Sequence, residues 1–504
     1  MQKKYILAID QGTTGSRAVL FDNYGKIIVS AYKEFRQYFP KPGWVEQDPD
    51  EIWASCVNVI KRILSESRIN QKDIAAIGIT NQRETSVIWE RSTSRPLARA
   101  IVWQCRRTAD TCRKLRQKGF QPLFRKKTGL VLDPYFSGTK IKWFLDNLKG
   151  LRQKAESGKI CFGTIDSWLV WKLTGGKAHA TDVTNASRTL VFNIKELKWD
   201  DALLEILNIP KQMLARVNNS GSIFGVTANN SSGLISGIPI AAVMGDQQAA
   251  LYGQDCFSPG EIKNTYGTGC FMVLNTGKKI IYSKKGLLST IACDEKGYPV
   301  YALEGSIFVA GALIQWFRDE MRLIKNSAES EKIIQGIKDT KEVYIVPAFV
   351  GLGAPYWAAH ARGLITGLTR GCGVRHIVRA GLEAIAYQTK DVFGIMEEEF
   401  GQKIKKMKVD GGAAQNNFLM QFQADILNCR IIRPRVIEST VRGAAYLAGI
   451  TAGLWNKKDL QKIYCVDKVF SPAMSPEKRK KLYAGWQSAV KMAICGVGKN
   501  VKGY

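Results

Sequence analysis

The chain has 504 residues, more than one hydrophobic core usually organises, so two or more domains are expected. Apolar residues make up 45% of it and charged residues 23%, which excludes wholesale disorder, a collagen-like chain and a coiled-coil rod. Lys and Arg outnumber Asp and Glu by 73 to 44, giving a net charge of +29, which raises the question of a polyanionic partner.

The basic residues are dispersed rather than concentrated in a binding motif. The longest basic run is Lys478 to Lys481, and neither zinc-finger spacing nor an RNA-recognition signature accompanies it. Eleven cysteines are spread without a CxxC pair, which is typical of free thiols in a reducing compartment. The N-terminal apolar run ends at Asp10, and no uncharged apolar stretch of ~18 residues occurs. We therefore predict a cytoplasmic protein without a membrane span or a specific nucleic-acid partner.

The first elements read as a hairpin. Tyr5 to Asp10 is a short apolar strand, Gln11 to Gly15 supplies a turn, and Ser16 to Asp22 resumes a strand. Lys26 to Phe35 is predicted as a third strand. A helix is then predicted from Asp48-Pro49-Asp50-Glu51, with apolar residues at helical spacing to Ile63.

Ile74 to Thr80 is a further buried strand, so the first half is expected to form a mixed sheet with helices on its faces. The same order of elements returns in the second half. Ile238 to Asp246 reads as a strand and Gln247 to Gln254 as a helix. Glu261 to Thr265, a Gly/Thr turn and Phe271 to Asn275 then repeat the hairpin.

Four later elements complete the prediction. They are a strand at Val343 to Phe349, a long helix at His376 to Phe400, a strand at Met407 to Asp410 and a helix at Phe418 to Leu427. We predict an α/β protein with one domain in residues 1–250 and a second in residues 251–504. The two are expected to pack across a cleft and to share helices.

The turn of the first hairpin has the composition of a phosphate site. Small residues let backbone N–H groups approach phosphate oxygens, and threonine hydroxyls add donors. Gly12, Thr13, Thr14 and Arg17 fit this description, and Asp10 at the strand end suits a hydrated divalent cation. An ordinary hairpin turn explains these residues equally well at this point. A Walker A sequence is absent, which excludes the P-loop kinases.

Two further glycine turns strengthen the phosphate interpretation. Gly267-Thr268-Gly269 and Gly411-Gly412-Ala413 each close an apolar strand, and the second follows Asp410. Three such turns predict a nucleotide held between two lobes. Closure of that cleft would exclude water and favour phosphoryl transfer over hydrolysis.

At this level of detail the chain resembles a known family, the glycerol kinases within the carbohydrate kinases. The resemblance is collinear from about residue 5 to about residue 490. The blocks that carry it are Asp10 to Arg17, Pro40 to Glu46, Ile79 to Thr85, Trp103 to Arg107, Asp133 to Lys140, Gly245 to Ala250, Asn264 to Phe271, Gly351 to Trp357 and Val409 to Asp425.

The resemblance implies a duplicated actin-like, ribonuclease-H-like fold, with mixed central sheets and a cleft between its domains. It implies ATP-dependent phosphorylation of glycerol to sn-glycerol 3-phosphate, a homo-oligomer (dimer or tetramer) and a role in glycerol uptake and catabolism. Carried over by position, the glycerol site comprises Arg83, Glu84, Trp103, Tyr135, Asp246, Gln247 and Phe271. The nucleotide site comprises Thr13, Thr14, Gly15, Arg17, Thr268, Gly311, Gln315, Gly412 and Asn416. Asp10 and Asp246 are expected to serve Mg²⁺.

The chemistry agrees with these implied roles. An Arg–Glu pair supplies donors and acceptors for two hydroxyls of a triol, while Trp103 and Phe271 cover its C–H edge. Asp246 ends a buried strand beside the second phosphate turn and is expected to be the general base for the third hydroxyl. Positioning and charge neutralisation are expected to supply most of the barrier reduction.

Other interpretations of single residues and of the whole chain stay open. Arg83–Glu84 taken alone is more typical of a surface ion pair, and Tyr135 of loop packing. The three histidines, His179, His360 and His376, are interpreted as structural or surface residues. The competing functions are a kinase for another polyol or pentulose, an actin-like or chaperone-like ATPase, and a basic nucleic-acid binder.

Four departures from the family pattern limit the carry-over. Gly15 stands where a serine is common, so one phosphate hydrogen bond is in doubt. Residues 227–238 lack a bisphosphate-binding loop and a regulatory histidine seen in some bacterial members. Ala358-Ala359-His360 replaces Asp-Pro-Tyr, and Arg442 replaces an apolar residue. Regulation is therefore left undetermined by the sequence.

Overall fold

The computed structural model describes residues 4–229, 232–358 and 360–496. The thirteen strands of its two main sheets are β1 (Tyr5–Gln11), β2 (Gly15–Asp22), β3 (Ile27–Glu34), β4 (Ile74–Asn81), β5 (Gly225–Val226), β6 (Pro239–Gly245), β7 (Ile262–Tyr266), β8 (Cys270–Gly277), β9 (Leu288–Cys293), β10 (Pro299–Ile307), β11 (Lys406–Asp410), β12 (Arg430–Pro434) and β13 (Val466–Phe470).

The helices alternate with these strands. They are α1 (Pro49–Ser67), α2 (Ala109–Gln117), α3 (Gln121–Thr128), α4 (Ser137–Asn147), α5 (Leu151–Glu156), α6 (Ile165–Leu173), α7 (Val183–Ala186), α8 (Asp201–Leu207), α9 (Asp246–Gly253), α10 (Gly311–Asp319), α11 (Glu329–Ile333), α12 (Val374–Phe400), α13 (Asn417–Leu427), α14 (Ser439–Thr451), α15 (Lys457–Ile463) and α16 (Pro476–Cys495). Short two- and three-stranded ribbons and three 3₁₀ turns connect them.

The first sheet has the strand order β5-β6-β4-β1-β2-β3. β2 pairs antiparallel with both β1 and β3, whereas β4 pairs parallel with both β1 and β6. The parallel strands are buried on both faces, as their nearly continuous apolar sequences require. The part of the chain built on this sheet is called the N-terminal lobe below.

The second sheet repeats this arrangement in the order β9-β10-β8-β7-β11-β12-β13. β7, β8 and β10 are antiparallel neighbours, and β7, β11 and β12 are parallel. Five consecutive strands of each sheet therefore share one topology, which confirms the predicted duplication. The part built on this sheet is called the C-terminal lobe.

Most predicted elements are present within a few residues of their expected ends. The strand predicted at Val343 to Phe349 is the exception, because only Tyr344–Val346 pairs, with Leu364–Thr366. Pro347 lacks the N–H that would continue the ladder, which ends the strand there. The helix predicted from His376 begins two residues earlier, at Val374.

Helix α14 joins the lobes, because it follows the second sheet but packs on the first. A Cβ added to Gly78 of β4 would lie 2.2 Å from the carbonyl oxygen of Ala444. One added to Gly443 would lie 1.9 Å from the carbonyl oxygen of Ala249 on α9. Only glycine permits this backbone approach. The expected sharing of helices is therefore confirmed, and the domain boundary near residue 250 stays a proposal.

His179 illustrates the packing of the N-terminal lobe. Its ring lies edge-on to Trp89 and Trp171, and Nε2 lies 2.8 Å from the carbonyl oxygen of Phe162. Burial lowers the pKa of His179 to about 4. This contact set agrees with the structural role predicted for this histidine.

We expect His179 to make stability fall as the pH drops. Between pH 6.5 and pH 4 the unfolded chain binds a proton that the folded chain excludes, so about 3 kcal/mol is lost over that interval and none above it. Urea unfolding of wild type and His179→Gln at pH 7.5 and pH 5 measures the difference. The free energy of unfolding should fall less between pH 7.5 and pH 5 for the variant than for wild type. An equal fall in both proteins would contradict a lowered pKa for His179.

All eleven cysteines lie in the described part of the chain and none forms a disulfide. In the described part of the chain, every helix is too short or too polar to span a bilayer. Part of the basic run is tied to the fold, since Arg479 donates to the carbonyl oxygens of Asp425 and Met474, and Lys481 pairs with Glu342.

Candidate active site

The turn between β1 and β2 is held from several sides. The carbonyl oxygen of Thr13 accepts hydrogen bonds from Gln37 and Gln47, each at 2.8 Å, and its hydroxyl accepts one from the indole of Trp103 at 2.9 Å. The N–H of Gly12 donates to the carbonyl oxygen of Gly15 across the turn. The predicted phosphate residues therefore sit on a fixed loop, which is the requirement for a preorganised anion site.

This loop opens into a cavity of about 240 Å³ between the lobes. Asp10 and Asp410 both line it, as do Gly12, Thr14, Gly15, Arg17, Tyr32, Thr265, Gly411, Ile437, Glu438, Thr440 and Val441. Arg17 crosses the cavity to form an ion pair with Glu438 of the C-terminal lobe. The first and third predicted glycine turns thus face one space, and the β7 strand reaches it through Thr265.

The second turn is fixed to the start of α10. The carbonyl oxygen of Gly267 accepts from Gly311, and that of Thr268 accepts from Ala310 and Ala312, at 2.9–3.1 Å. A Cβ added to Gly311 would lie 2.5 Å from the carbonyl oxygen of Gly267, so this close approach requires glycine. Thr268 itself is exposed.

The remaining residues predicted for the nucleotide lie along the same side of the C-terminal lobe. Gln315 is exposed on α10, and Gly412 is exposed in the turn after β11. Asn416 is half-buried, and its side chain caps α13 by accepting from Leu419 N–H at 2.9 Å. Its amide nitrogen also lies 3.3 Å from Ser330 Oγ.

Arg83 and Glu84 belong to a buried charge cluster, so the surface-pair interpretation is wrong. Both side chains are about 2% exposed. Arg83 lies 3.1 Å from Asp246 and 2.5 Å from Glu304, while Glu84 accepts from Arg188 at 2.6 Å. Glu84 has a φ of 62°, a left-handed conformation that a glutamate rarely adopts. Such strain is typical of functional positions.

Two donors of this cluster are free to meet a ligand. Arg83 Nε is close to Asp246 but outside hydrogen-bonding geometry, and Arg188 Nη1 also has no hydrogen-bond acceptor among the described residues. Both atoms are buried. An unsatisfied buried N–H costs about 1–3 kcal/mol, so hydroxyl groups that accept from these atoms would bind favourably.

Asp246 is the first residue of α9. Its carboxylate accepts from the N–H of Gln247 at 2.7 Å and its side chain is 31% exposed, so it faces open space as well as Arg83. A negative charge at the N-terminus of a helix complements the helix dipole. This position combines a fixed orientation with access for an incoming oxygen.

Aromatic residues bound the cluster on the N-terminal side. The rings of Trp103 and Tyr135 meet edge to face at 5.5 Å, and the guanidinium of Arg188 lies 5.5 Å from the centre of the Tyr135 ring. On the other side, Lys263 donates to the side chain of Gln247 and to the carbonyl oxygen of Phe271. The structure therefore brings the residues predicted for glycerol into one region.

Asp10 fits a cation site. Burial and the neighbouring carboxylate of Asp246 raise the pKa of Asp10 to about 7 although Arg17 lowers it. Asp410 Oδ1 is buried without a hydrogen-bond partner among the described residues. A divalent cation favours the ionised form of such groups. No cluster of three or more His, Cys, Asp or Glu side chains suited to a metal occurs in the described ranges, and Mg²⁺ with phosphate ligands needs only one or two carboxylates.

Sequence reasoning missed Arg188 and Glu304. Glu304 is fully buried and binds both Arg83 and Arg188, so it holds the two arginines together. A lone acid directly after the apolar run from Val300 to Leu303 is a signal that could have found it, since buried charges are paired. Arg188 follows α7, in a stretch for which no element was predicted, and nothing in its neighbourhood marks it.

Two departures from the family pattern have a structural account. Arg442 is buried on α14 and donates twice to the carbonyl oxygen of Gly253, at the end of α9. A cation suits that helix end. A Cβ at Gly15 would lie 2.5 Å from the ring of Tyr32, so here the tyrosine fills the space of a side chain. Of the other departures, residues 230, 231 and 359 lie outside the described ranges.

We expect Gly15→Ser to leave ATP affinity within about threefold of wild type, as for a surface substitution. The added Cβ meets only the outer ring atoms of Tyr32, whose side chain is 42% exposed and can turn aside at small cost. The φ of Gly15 is not in the left-handed region, so the backbone does not oppose the substitution either. Nucleotide titration of wild type and Gly15→Ser measures the effect, and a loss of tenfold or more would contradict this account.

Comparison with known proteins adds independent evidence. The N-terminal domain of the FGGY family of carbohydrate kinases matches residues 5–253, and the C-terminal domain matches residues 262–452. A glycerol kinase of Caldanaerobacter subterraneus is 58% identical over 97% of this chain and 99% of its own. Glycerol kinase 2 of Thermotoga maritima is 55% identical over the same shares. The crystal structure of Plasmodium falciparum glycerol kinase with ADP matches with a TM-score of 0.92 at 37% identity, over 98% of this chain and 99% of that one.

Proposed function

The chain belongs to the FGGY family of carbohydrate kinases, and we propose that it transfers the γ-phosphoryl group of ATP to glycerol, forming sn-glycerol 3-phosphate. It has the duplicated actin-like fold of that family. Relatives that share 55–58% identity over nearly the whole chain are glycerol kinases. ATP is its phosphoryl donor, in line with the ADP of the Plasmodium structure.

The observation that carries the proposal is the buried Arg83–Glu84–Arg188–Glu304 cluster beside Asp246. It offers two free N–H donors and carboxylate acceptors within a space walled by Trp103 and Tyr135. A small polyol matches these groups, because its hydroxyls both donate and accept. A protein filament subunit or a nucleic-acid binder has no use for such a cluster inside its cleft.

In the reaction we propose, Asp246 accepts the proton of the hydroxyl that attacks the γ-phosphorus. Its place at the start of α9 and the hydrogen bond from the N–H of Gln247 fix the orientation of the carboxylate. The fixed loop from Gly12 to Gly15 and the turn at Thr268 would hold the phosphates from opposite lobes. Arg17 would exchange Glu438 for phosphate and neutralise the developing charge.

Asp10 is proposed to hold Mg²⁺, and Asp246 to contact its hydration shell. When bound, the ion neutralises negative charge on the phosphate oxygens. Asp10 suits this role because burial and Asp246 raise its pKa, which a cation would offset. Gln315, Gly412 and Asn416 are proposed to face the rest of the nucleotide. We also propose a cytoplasmic location and a homo-oligomer, dimer or tetramer.

A coupled assay of ADP release with a panel of alcohols tests the function. We expect kcat/KM for glycerol to exceed that for erythritol and xylulose by roughly 10²-fold or more, because the cluster is built for a small triol. A pentulose as the best substrate would overturn the choice of glycerol within the carbohydrate kinases. ATP hydrolysis that no alcohol stimulates would overturn the kinase activity itself.

A further inference from the structure

A second cavity, of about 600 Å³, lies between the lobes and is separate in its lining from the phosphate cavity. Arg116 and Arg125 line it from the N-terminal lobe, together with Gln121 and Leu132. Lys284 and Trp357 line it from the C-terminal lobe. None of these residues has a part in the proposed phosphoryl transfer.

The cavity is rich in donors that the described residues leave unsatisfied. Arg125 Nη2 and Gln121 Nε2, one turn apart on α3, are buried and have no hydrogen-bond acceptor among the described residues. Gln121 is held in place because its Oε1 accepts from the N–H of Leu132 at 2.9 Å. Buried donors without acceptors are uncommon in folded proteins and indicate a ligand or an ordered water.

The charges that face this space are mostly positive. Arg116 donates to the carbonyl oxygen of Leu132. Among the described residues, no ion pair is formed by Arg116, Arg125 or Lys284. The one acid in the lining, Asp133, forms an ion pair with Arg106, with 2.8 Å between Oδ1 and Nη1. Lys285, also in the lining, is paired with Glu398 at 2.6 Å. Three uncompensated cations in a concave site concentrate positive potential there.

We propose that this cavity binds a small phosphomonoester. A phosphate dianion has enough acceptor oxygens for Arg125, Gln121 and the two flanking cations, and guanidinium groups suit phosphate geometry. A carboxylate would leave some of these donors unsatisfied. Trp357 is 44% exposed at the opposite wall and offers an apolar face for the organic part of the ligand. Since the walls come from both lobes, the ligand bridges them.

Calorimetric titration with inorganic phosphate tests the site on the full chain. The catalytic cleft is first saturated with glycerol, Mg²⁺ and a non-hydrolysable ATP analogue, so that phosphate binding there is blocked. We expect about one phosphate to bind per chain. Acetate at the same ionic strength should bind at least about tenfold more weakly. No binding to the saturated protein, or equal binding of acetate, would overturn the proposal.

Variants locate the binding between the lobes. Arg125→Gln and Lys284→Gln should each weaken phosphate binding about tenfold, although they lie on opposite lobes. Lys126→Gln removes the same charge from the next position of α3 and is the matched control, because Lys126 is exposed and does not line the cavity. The control should bind like wild type, and a control that binds as weakly as Arg125→Gln would overturn the site.

The readout does not depend on phosphoryl transfer, so failure here and failure of the proposed function are distinguishable. Thermal unfolding of each variant in the absence of phosphate reports whether Arg125→Gln folds. If Arg125→Gln does not fold, the phosphate affinity of Lys284→Gln alone tests the site. That variant should fold, since Lys284 is exposed and its side chain forms no ion pair among the described residues.

Discussion

Asp246→Asn should lower kcat by ~10²–10⁴-fold while glycerol and ATP still bind. The substitution removes the proposed proton acceptor but leaves an oxygen that accepts from the N–H of Gln247. Arg83 keeps its contact with Glu304, so the cluster should retain its shape. Loss of the charge weakens the ion pair with Arg83 and the interaction with the start of α9, but it also removes the repulsion between Asp246 and Asp10, so we expect the variant to stay folded.

Three measurements on this variant separate chemistry from folding. The coupled assay gives kcat, calorimetry gives the dissociation constant for glycerol, and thermal unfolding gives stability. Asp201→Asn is the matched control, because Asp201 is an exposed acid near the start of α8 with no part in the site. A kcat for Asp246→Asn within tenfold of wild type would remove Asp246 from its proposed role as base.

The fold was more accessible to sequence reasoning than the site. β1 to β3 and their counterparts β7 and β8 were predicted because apolar runs and Gly/Thr turns are local signals. The order of strands in each sheet depends on contacts between distant residues, and only the repeat of the hairpin indicated it. Pro347 shows the limit, since it ends a strand that hydrophobicity alone would extend.

The same distinction applies within the site. Arg83, Glu84 and Asp246 came from family resemblance, while the Arg83–Glu84 pair taken alone supported a plain surface ion pair. Arg188 and Glu304 were missed because each pairs with a residue far away in the sequence. Arg188 binds Glu84, 104 positions before it, and Glu304 binds Arg83, 221 positions before it. Periodicity carries no information about such pairs. Burial and charge pairing, which only the folded chain shows, identify them.

Glu304→Gln should have the largest effect on stability, lowering the free energy of unfolding by about 3–5 kcal/mol. Glu304 is fully buried and accepts from Arg83 and Arg188, at distances of 2.5–3.1 Å. A neutral amide leaves two buried guanidinium groups with one carboxylate fewer. Since proteins are stable by only about 5–15 kcal/mol, much of the variant should unfold on mild heating.

The free energy of unfolding that Glu304→Gln loses should depend on pH, because Arg83 and Arg188 shift the pKa of Glu304. Burial alone would raise the pKa of Glu304, but Arg188 and Arg83 outweigh it and lower the pKa to about 2. The carboxylate therefore contributes its stability above pH 4.5, its ordinary value, and loses it as the pH falls toward 2. The gap between wild type and Glu304→Gln should be constant near neutrality and shrink between pH 4 and pH 2.

Glu304→Gln should also raise KM for glycerol more than tenfold in the fraction that stays folded, because Arg83 and Arg188 lose the group that orients them. Glu196→Gln is the control, as an exposed partner of Lys198 whose removal should cost at most about 1 kcal/mol. Urea unfolding across this pH range measures the free energy of unfolding. The coupled assay at varied glycerol concentration measures KM for the folded variant. If Glu304→Gln were as stable as the control, the cluster would not be the rigid frame that places the two free N–H donors against the substrate.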